Sequence, residues 1–194
     1  MRRIKKVKIK IVKKPDICIG DHFIYKDTKW ICLDVIDGNY LAVTAKVWQE
    51  LPFDNDSKNN WKESSLRRVL NDEFLGKLNK KHLIKQTSDL IADNGDKAYG
   101  TSEDYVTILS CDQYRKYRTL VPCYPEWMWT LTPWNCFRPG IPGITVRYVN
   151  RAGEVYSNSA FFDCGVAPVV LFSSKHLELS RQTRLVEIKK QTKN

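Results

Sequence analysis

Asp37-Gly38 restricts this chain more than any other pair of residues. An Asp-Gly pair readily adopts the backbone angles that reverse a strand in two residues. Here it falls between two strand-forming runs, Lys29 to Ile36 and Tyr40 to Thr44. With a shorter run from His22 to Tyr25 ahead of them, the segment after Pro15 reads as an antiparallel meander.

Helical signals come next and are brief. A polar loop over 54–60 leads into a segment whose Leu66, Val69, Leu70 and Phe74 share one helical face, the stripe of a core-facing helix. The loop resembles a calcium loop only superficially: Lys58 stands where an oxygen ligand belongs, no Gly follows it, and Ser65 replaces the bidentate Glu. Weaker helical pattern continues from Leu78 to Lys85, and the polar stretch from Thr87 to Asp104 reads as a long surface loop. Val106 to Leu109 is a short strand, and Ser110 with Gln113 forms a capping-box start for a helix over Cys111 to Tyr117. Strands are expected around Ile144 to Val149 and Val166 to Phe172, with Asn150-Arg151-Ala152-Gly153 as a turn. The expectation is therefore one α+β domain of 194 residues.

Charge is segregated along this sequence. Residues 1–14 carry eight basic side chains (Arg2, Arg3, Lys5, Lys6, Lys8, Lys10, Lys13, Lys14) and no acid. Residues 175–194 carry six basic and two acidic ones, so the net +10 belongs to the ends, while 15–174 holds 18 basic against 20 acidic residues. Val7, Ile9 and Ile11 alternate with lysines, as Val186 and Ile188 alternate with Glu187 and Lys189, so both ends read as strands that pair with each other. Such ends either bind a polyanion, releasing counterions from phosphates, or guard sheet edges with lysines. Arg115, Lys116 and Arg118, interleaved with Tyr114 and Tyr117, extend the nucleic-acid reading, although tyrosines at that spacing more often cover a core edge.

No apolar run of membrane-spanning length and no signal-peptide pattern occurs, so the protein is expected in the cytoplasm with no membrane partner. Six scattered cysteines without a C-x-x-C pair, and three isolated histidines, point to free thiols and to no metal or cofactor. No nucleophile elbow, phosphate loop or zinc-protease motif is present, and an enzyme is not expected.

The Trp-rich stretch Trp127 to Trp134, followed by Gly140-Ile141-Pro142-Gly143, either lines a binding face or fills a loop-rich core. The chain resembles a bacterial and phage domain-of-unknown-function family with the motifs N-W-x-x-S-x-L-R-x-W-L-N, W-L-R-S-P, V-N-x-D-G and G-V-R-P-A-L. The matching stretches are Asn60-Trp61 with Ser64, Leu66, Arg67, Leu70 and Asn71; Trp129 to Pro133; Val149 to Gly153; and Gly165 to Val170. Together they span about residues 20 to 172, and two family arginines are replaced by Leu131 and Ala167. That family is in turn similar to the C-type-lectin-like fold, which implies paired terminal strands and a loop-rich, Trp-containing binding half. Lectin-like calcium binding is not implied, because Trp134-Asn135-Cys136 lacks the Asp of the usual segment. Formylglycine-generating enzymes look like elaborated members of the same fold, and would make Cys123, Cys136 and Cys164 the residues to watch.

The expectation is a non-catalytic module, carried by a phage or mobile element, that recognises a protein through Trp127, Trp129, Trp134 and Phe137 with Arg138 as companion. The alternative is nucleic-acid binding by the basic ends.

Overall fold

The computed structural model describes residues 17–177. The expected pairing of the basic ends falls outside them, save for 175–177.

Thirteen strands and two short helices are present among the described residues. In chain order the first strands are β1 (His22–Tyr25), β2 (Thr28–Ile36), β3 (Asn39–Thr44) and β4 (Gln49–Pro52). Helix α1 (Ser65–Val69) follows, then β5 (Leu83–Ile84), β6 (Gln86–Asp89), β7 (Thr101–Asp104), β8 (Val106–Thr107) and helix α2 (Cys111–Lys116). The C-terminal part contributes β9 (Met128–Pro133), β10 (Thr145–Val149), β11 (Val155–Ser159), β12 (Asp163–Val166) and β13 (Val169–Phe172). The class is α+β with almost wholly antiparallel pairing; β12 and β9 are the parallel exception.

One sheet has the order β1-β2-β3-β13-β5, with β8 also on β13; a second runs β11-β10-β9-β12-β4, and β6 pairs with β7. The Asp37-Gly38 turn forms as expected: φ is 48° at Asp37 and 74° at Gly38, joining β2 to β3. A register shift between Cys32 and Asp34 bulges β2, and the strand is buried on both sides before it, Trp30 and Cys32 in one core cluster and Ile31 and Leu33 in the other.

Asn60 caps a 3₁₀ turn over Trp61–Glu63 and Ser64 caps α1 directly after it; along this segment Leu66, Leu70 and Phe74 are buried while Val69 is half-buried. Beyond Val69 the backbone widens into a π turn over Leu70–Phe74, so the stripe is not the even one that 3.6-residue spacing implies. Asp54 explains the calcium-like loop. Its carboxylate accepts the backbone N–H groups of Asp56, Lys58 and Ser65 at 2.9–3.0 Å, so the loop folds around its own amides. The residues shared with the family motif are structural: Trp61 Nε1, Arg67 Nε and the Ser102 hydroxyl all donate to buried Asp104. Asn71 bonds both the N–H and the C=O of Val106. Leu131 and Ala167, where the family has arginines, are buried.

Four expectations are corrected. Leu78 to Lys85 is not a helix but a 3₁₀ turn, Lys80–His82, running into β5. The supposed loop from Thr87 to Asp104 is a hairpin whose arms are β6 and β7. Val166 to Phe172 is not one strand, because Pro168 lacks the N–H a ladder needs; β12 and β13 therefore lie in different sheets. The Trp-rich stretch is not a loop: Met128–Pro133 is strand β9, buried along its whole length.

Candidate functional site

β9 divides the expected anchors into three groups. Trp129 points inward and is 0% exposed, its Nε1 donating to Leu51 O at 2.9 Å and its ring set edge-on to Phe53. It is core, and the expectation that it contacts a partner is wrong, because β9 is covered on both faces along its whole length. Trp127, one residue before β9, is 44% exposed and stacks on Tyr148 at 5.0 Å; Tyr148 in turn stacks on Tyr156 at 6.2 Å. Trp134 and Phe137 follow the other end of β9 and are 47% and 64% exposed. At about 3.3 Å per residue, the strand holds Trp127 and Trp134 roughly 20 Å apart. They belong to different surfaces.

The surface at the Trp134 end is built from two loops. Residues 134–144 carry Trp134, Phe137, Ile141 and Ile144, all exposed, and the Ala160 N–H donates to Ile144 O, which brings exposed Phe161 and Phe162 alongside. Sequence reasoning did not single out Phe161 and Phe162; an adjacent Phe pair in a Ser-Asn-Ser-rich segment was the available signal.

These loops are fixed from beneath. Asn59 is fully buried, and its Nδ2 donates to Asn135 O at 2.8 Å and Thr145 O at 2.9 Å. Its Oδ1 accepts the Tyr99 hydroxyl at 2.7 Å, and that hydroxyl accepts the Phe137 N–H at 2.7 Å. Burial pushes the Tyr99 phenol up, so it stays a neutral donor. Gly143 leans on the same group: a Cβ there would meet Tyr99 Oη at 2.7 Å and Asn59 Oδ1 at 2.8 Å. Arg138 bonds Asp96 at 2.7 Å and holds that carboxyl below its ordinary range, so part of its charge is already neutralised within the protein. The Arg147 guanidinium lies 4.1 Å from the Trp134 ring centroid and is itself anchored by Asp93 and Ser157. The arrangement is rigid polar support under an apolar, aromatic surface, and the two carboxylates beside it, Asp93 and Asp96, are each paired with an arginine.

Helix α2 places its basic residues otherwise than a stacking platform requires. Tyr114 and Tyr117 are buried, Lys116 is bonded to Asp34 at 2.8 Å, and Arg115 to Asp112 at 2.8 Å. Lys116 and the Tyr117 hydroxyl pull the Asp34 carboxyl down. Arg118 covers the Tyr114 ring at 5.5 Å. The bases in question therefore bind to the protein's own groups. Arg2, Arg3, Lys5, Lys6, Lys8, Lys10, Lys13 and Lys14 lie outside the described residues.

Cys136 and Cys164 are buried and Cys123 is exposed beside Arg118. Burial pushes the Cys164 thiol up to about 12, the opposite of what a nucleophile needs. A polar groove of about 450 Å³ opens between β6 and α2, lined by Asp89, Asp93, Cys111, Asp112 and Arg115. Two of its carboxylates are already paired, Asp112 with Arg115 and Asp93 with Arg147.

Fold and site together define an α+β protein of two main antiparallel sheets with an aromatic loop surface at one end. Compared with known proteins, the sequence matches no protein-family profile and no curated sequence, and the fold matches no solved structure. No helix among the described residues is long and apolar enough to cross a membrane.

Proposed function

We propose that this chain is a non-catalytic binding module of C-type-lectin-like architecture, and that it recognises a protein through Trp134, Phe137, Ile141 and Ile144. The observation that carries the reading is the contrast within the loops: large apolar side chains stand in solvent while the backbone under them is tied down by Asn59 and Tyr99. Pre-set aromatic anchors bind without the ordering cost that flexible loops incur. The family resemblance makes the module a phage or mobile-element product and its partner a host protein.

The test is capture by the tagged full chain from its native lysate, with and without nuclease and at two salt concentrations, beside the Trp134→Ala, Phe137→Ala double variant. A protein partner should survive nuclease and moderate salt, and its affinity for the double variant should fall at least about tenfold, since truncating an interface aromatic commonly costs about 2 kcal/mol. Recovery of only nuclease-sensitive, salt-labile material, equal for both proteins, refutes the reading and gives the function to the basic ends.

A further inference from the structure

β11 forms one edge of the second sheet, and its pattern of free backbone groups can be worked out. The β10–β11 register runs from Thr145↔Ser159 to Val149↔Val155. Two bonds bracket it: Ala160 N–H to Ile144 O at one end and Asn150 N–H to Glu154 O at the other. Bonded pairs alternate in an antiparallel ladder, so residues 154, 156, 158 and 160 turn their amides toward β10, whereas 155, 157 and 159 turn theirs outward. Ser159 is closed off locally: its N–H goes to Asn158 Oδ1 and its C=O accepts from Phe162. The outward N–H and C=O of Val155 and Ser157 remain, with no partner among the described residues.

This edge also lacks the usual guards. β4, the opposite edge of the same sheet, carries Glu50 and Pro52, whereas β11 reads Val-Tyr-Ser-Asn-Ser with no charge and no proline. The aromatic row Trp127–Tyr148–Tyr156 runs across the strands and ends at this edge with Tyr156 half exposed.

We infer that β11 pairs with β11 of a second copy of this chain, antiparallel, about a two-fold axis through Tyr156. That register sets Val155 against Ser157 of the other copy, twice, and uses the four free groups in four hydrogen bonds, after which the closed-off Ser159 ends the ladder. Tyr156 then faces its own counterpart in a non-bonded pair, where side chains approach closest. The row becomes six rings long. This contact draws on residues other than Trp134 and Phe137 and stands independently of the partner reading.

The interface is small, so dimerisation should be concentration-dependent, in the range of roughly tens of micromolar. Sedimentation velocity on the full chain, from about 5 to several hundred micromolar, should show a shift from one chain to two. Ser157→Pro removes one outward N–H and leaves the backbone bonds to β10, a substitution that edge strands tolerate, and should abolish the shift; Ser157→Ala, which loses only the hydroxyl that accepts from Arg147, should keep it, with the circular dichroism unchanged in both. A protein that stays a single chain at the highest concentration overturns the inference. So does association that ignores Ser157→Pro or that is lost equally in Ser157→Ala.

Discussion

Asn59→Ala tests whether the aromatic surface is held from below. The substitution leaves Asn135 O without its donor and takes the acceptor from the Tyr99 hydroxyl, while Thr145 O keeps the Trp134 N–H. Two newly unpaired buried groups at about 1–3 kcal/mol each, with the lost packing of a fully buried side chain, give a destabilisation of about 3–5 kcal/mol. Because a domain of this kind has only about 5–15 kcal/mol in hand, the loss is readily measured. Urea unfolding followed by tryptophan fluorescence reads it directly: with a slope of about 2 kcal/mol/M the midpoint should fall by roughly 1.5–2.5 M. The neighbouring Asn60→Ala, which removes one cap bond to the Lys62 amide, is the control and should cost about 1 kcal/mol or less. If Asn59→Ala moves the midpoint no further than Asn60→Ala, the loops are not held by Asn59 and the argument for a pre-set surface fails.

Trp129→Ala should cost about 3–5 kcal/mol in the same assay, as a large core truncation does, whereas Phe137→Ala should be nearly silent in stability. Thiol titration of the native protein should modify Cys18 and Cys123, the exposed pair, and leave Cys32, Cys111, Cys136 and Cys164 until the chain is unfolded; rapid native labelling of all six would contradict the packing. Asp34 has a folded pKa depressed by Lys116 and Tyr117, so its stabilisation is present above the ordinary carboxylate value and is lost as pH falls through the folded value. Asp34→Asn should therefore flatten acid unfolding below about pH 4, measured against the parent at matched salt. His82 is half-buried, and that desolvation, with His176 and Lys26 nearby, lowers its pKa. Its contribution is complete above the ordinary histidine value and is lost as pH falls through that value toward the lower folded one, so His82→Gln should lessen the stability change between about pH 7 and 5.

Much of the first half was legible because local chemistry and tertiary structure agree there. Asp37-Gly38 fixed its hairpin, and Ser110 with Gln113 formed the capping box read from the sequence. The second half was harder for physical reasons. Trp129-Thr130-Leu131-Thr132 alternates apolar and polar residues, yet β9 is buried on both faces, so that alternation does not say which of Trp127, Trp129 and Trp134 stands in solvent. Val155–Ser159 is rich in Ser and Asn, which have weak strand propensity, and exists through pairing with β10. Trp134, Phe137 and Arg138 were singled out in advance; that Asn59, Tyr99 and Gly143 lie beneath their loop rests on contacts between residues nearly 40 or more positions apart.

The break at Pro168 fixes the order in which the molecule can be completed. β13 lies between β3 and β5 in one sheet, and β12 between β9 and β4 in the other, so residues 163–172 supply an interior strand to both. Until those ten residues have left the ribosome, the first sheet is in three pieces and the second in two, with inner edges open. The partners they join, β3 at Asn39–Thr44 and β4 at Gln49–Pro52, have by then waited more than a hundred residues of synthesis. Assembly is governed by late, long-range pairing and is slow by the standard of domains built from local contacts. A chain stopped before Asp163 would hold the β1–β3 and β9–β11 meanders with nothing to join them to β5, β8 and β4.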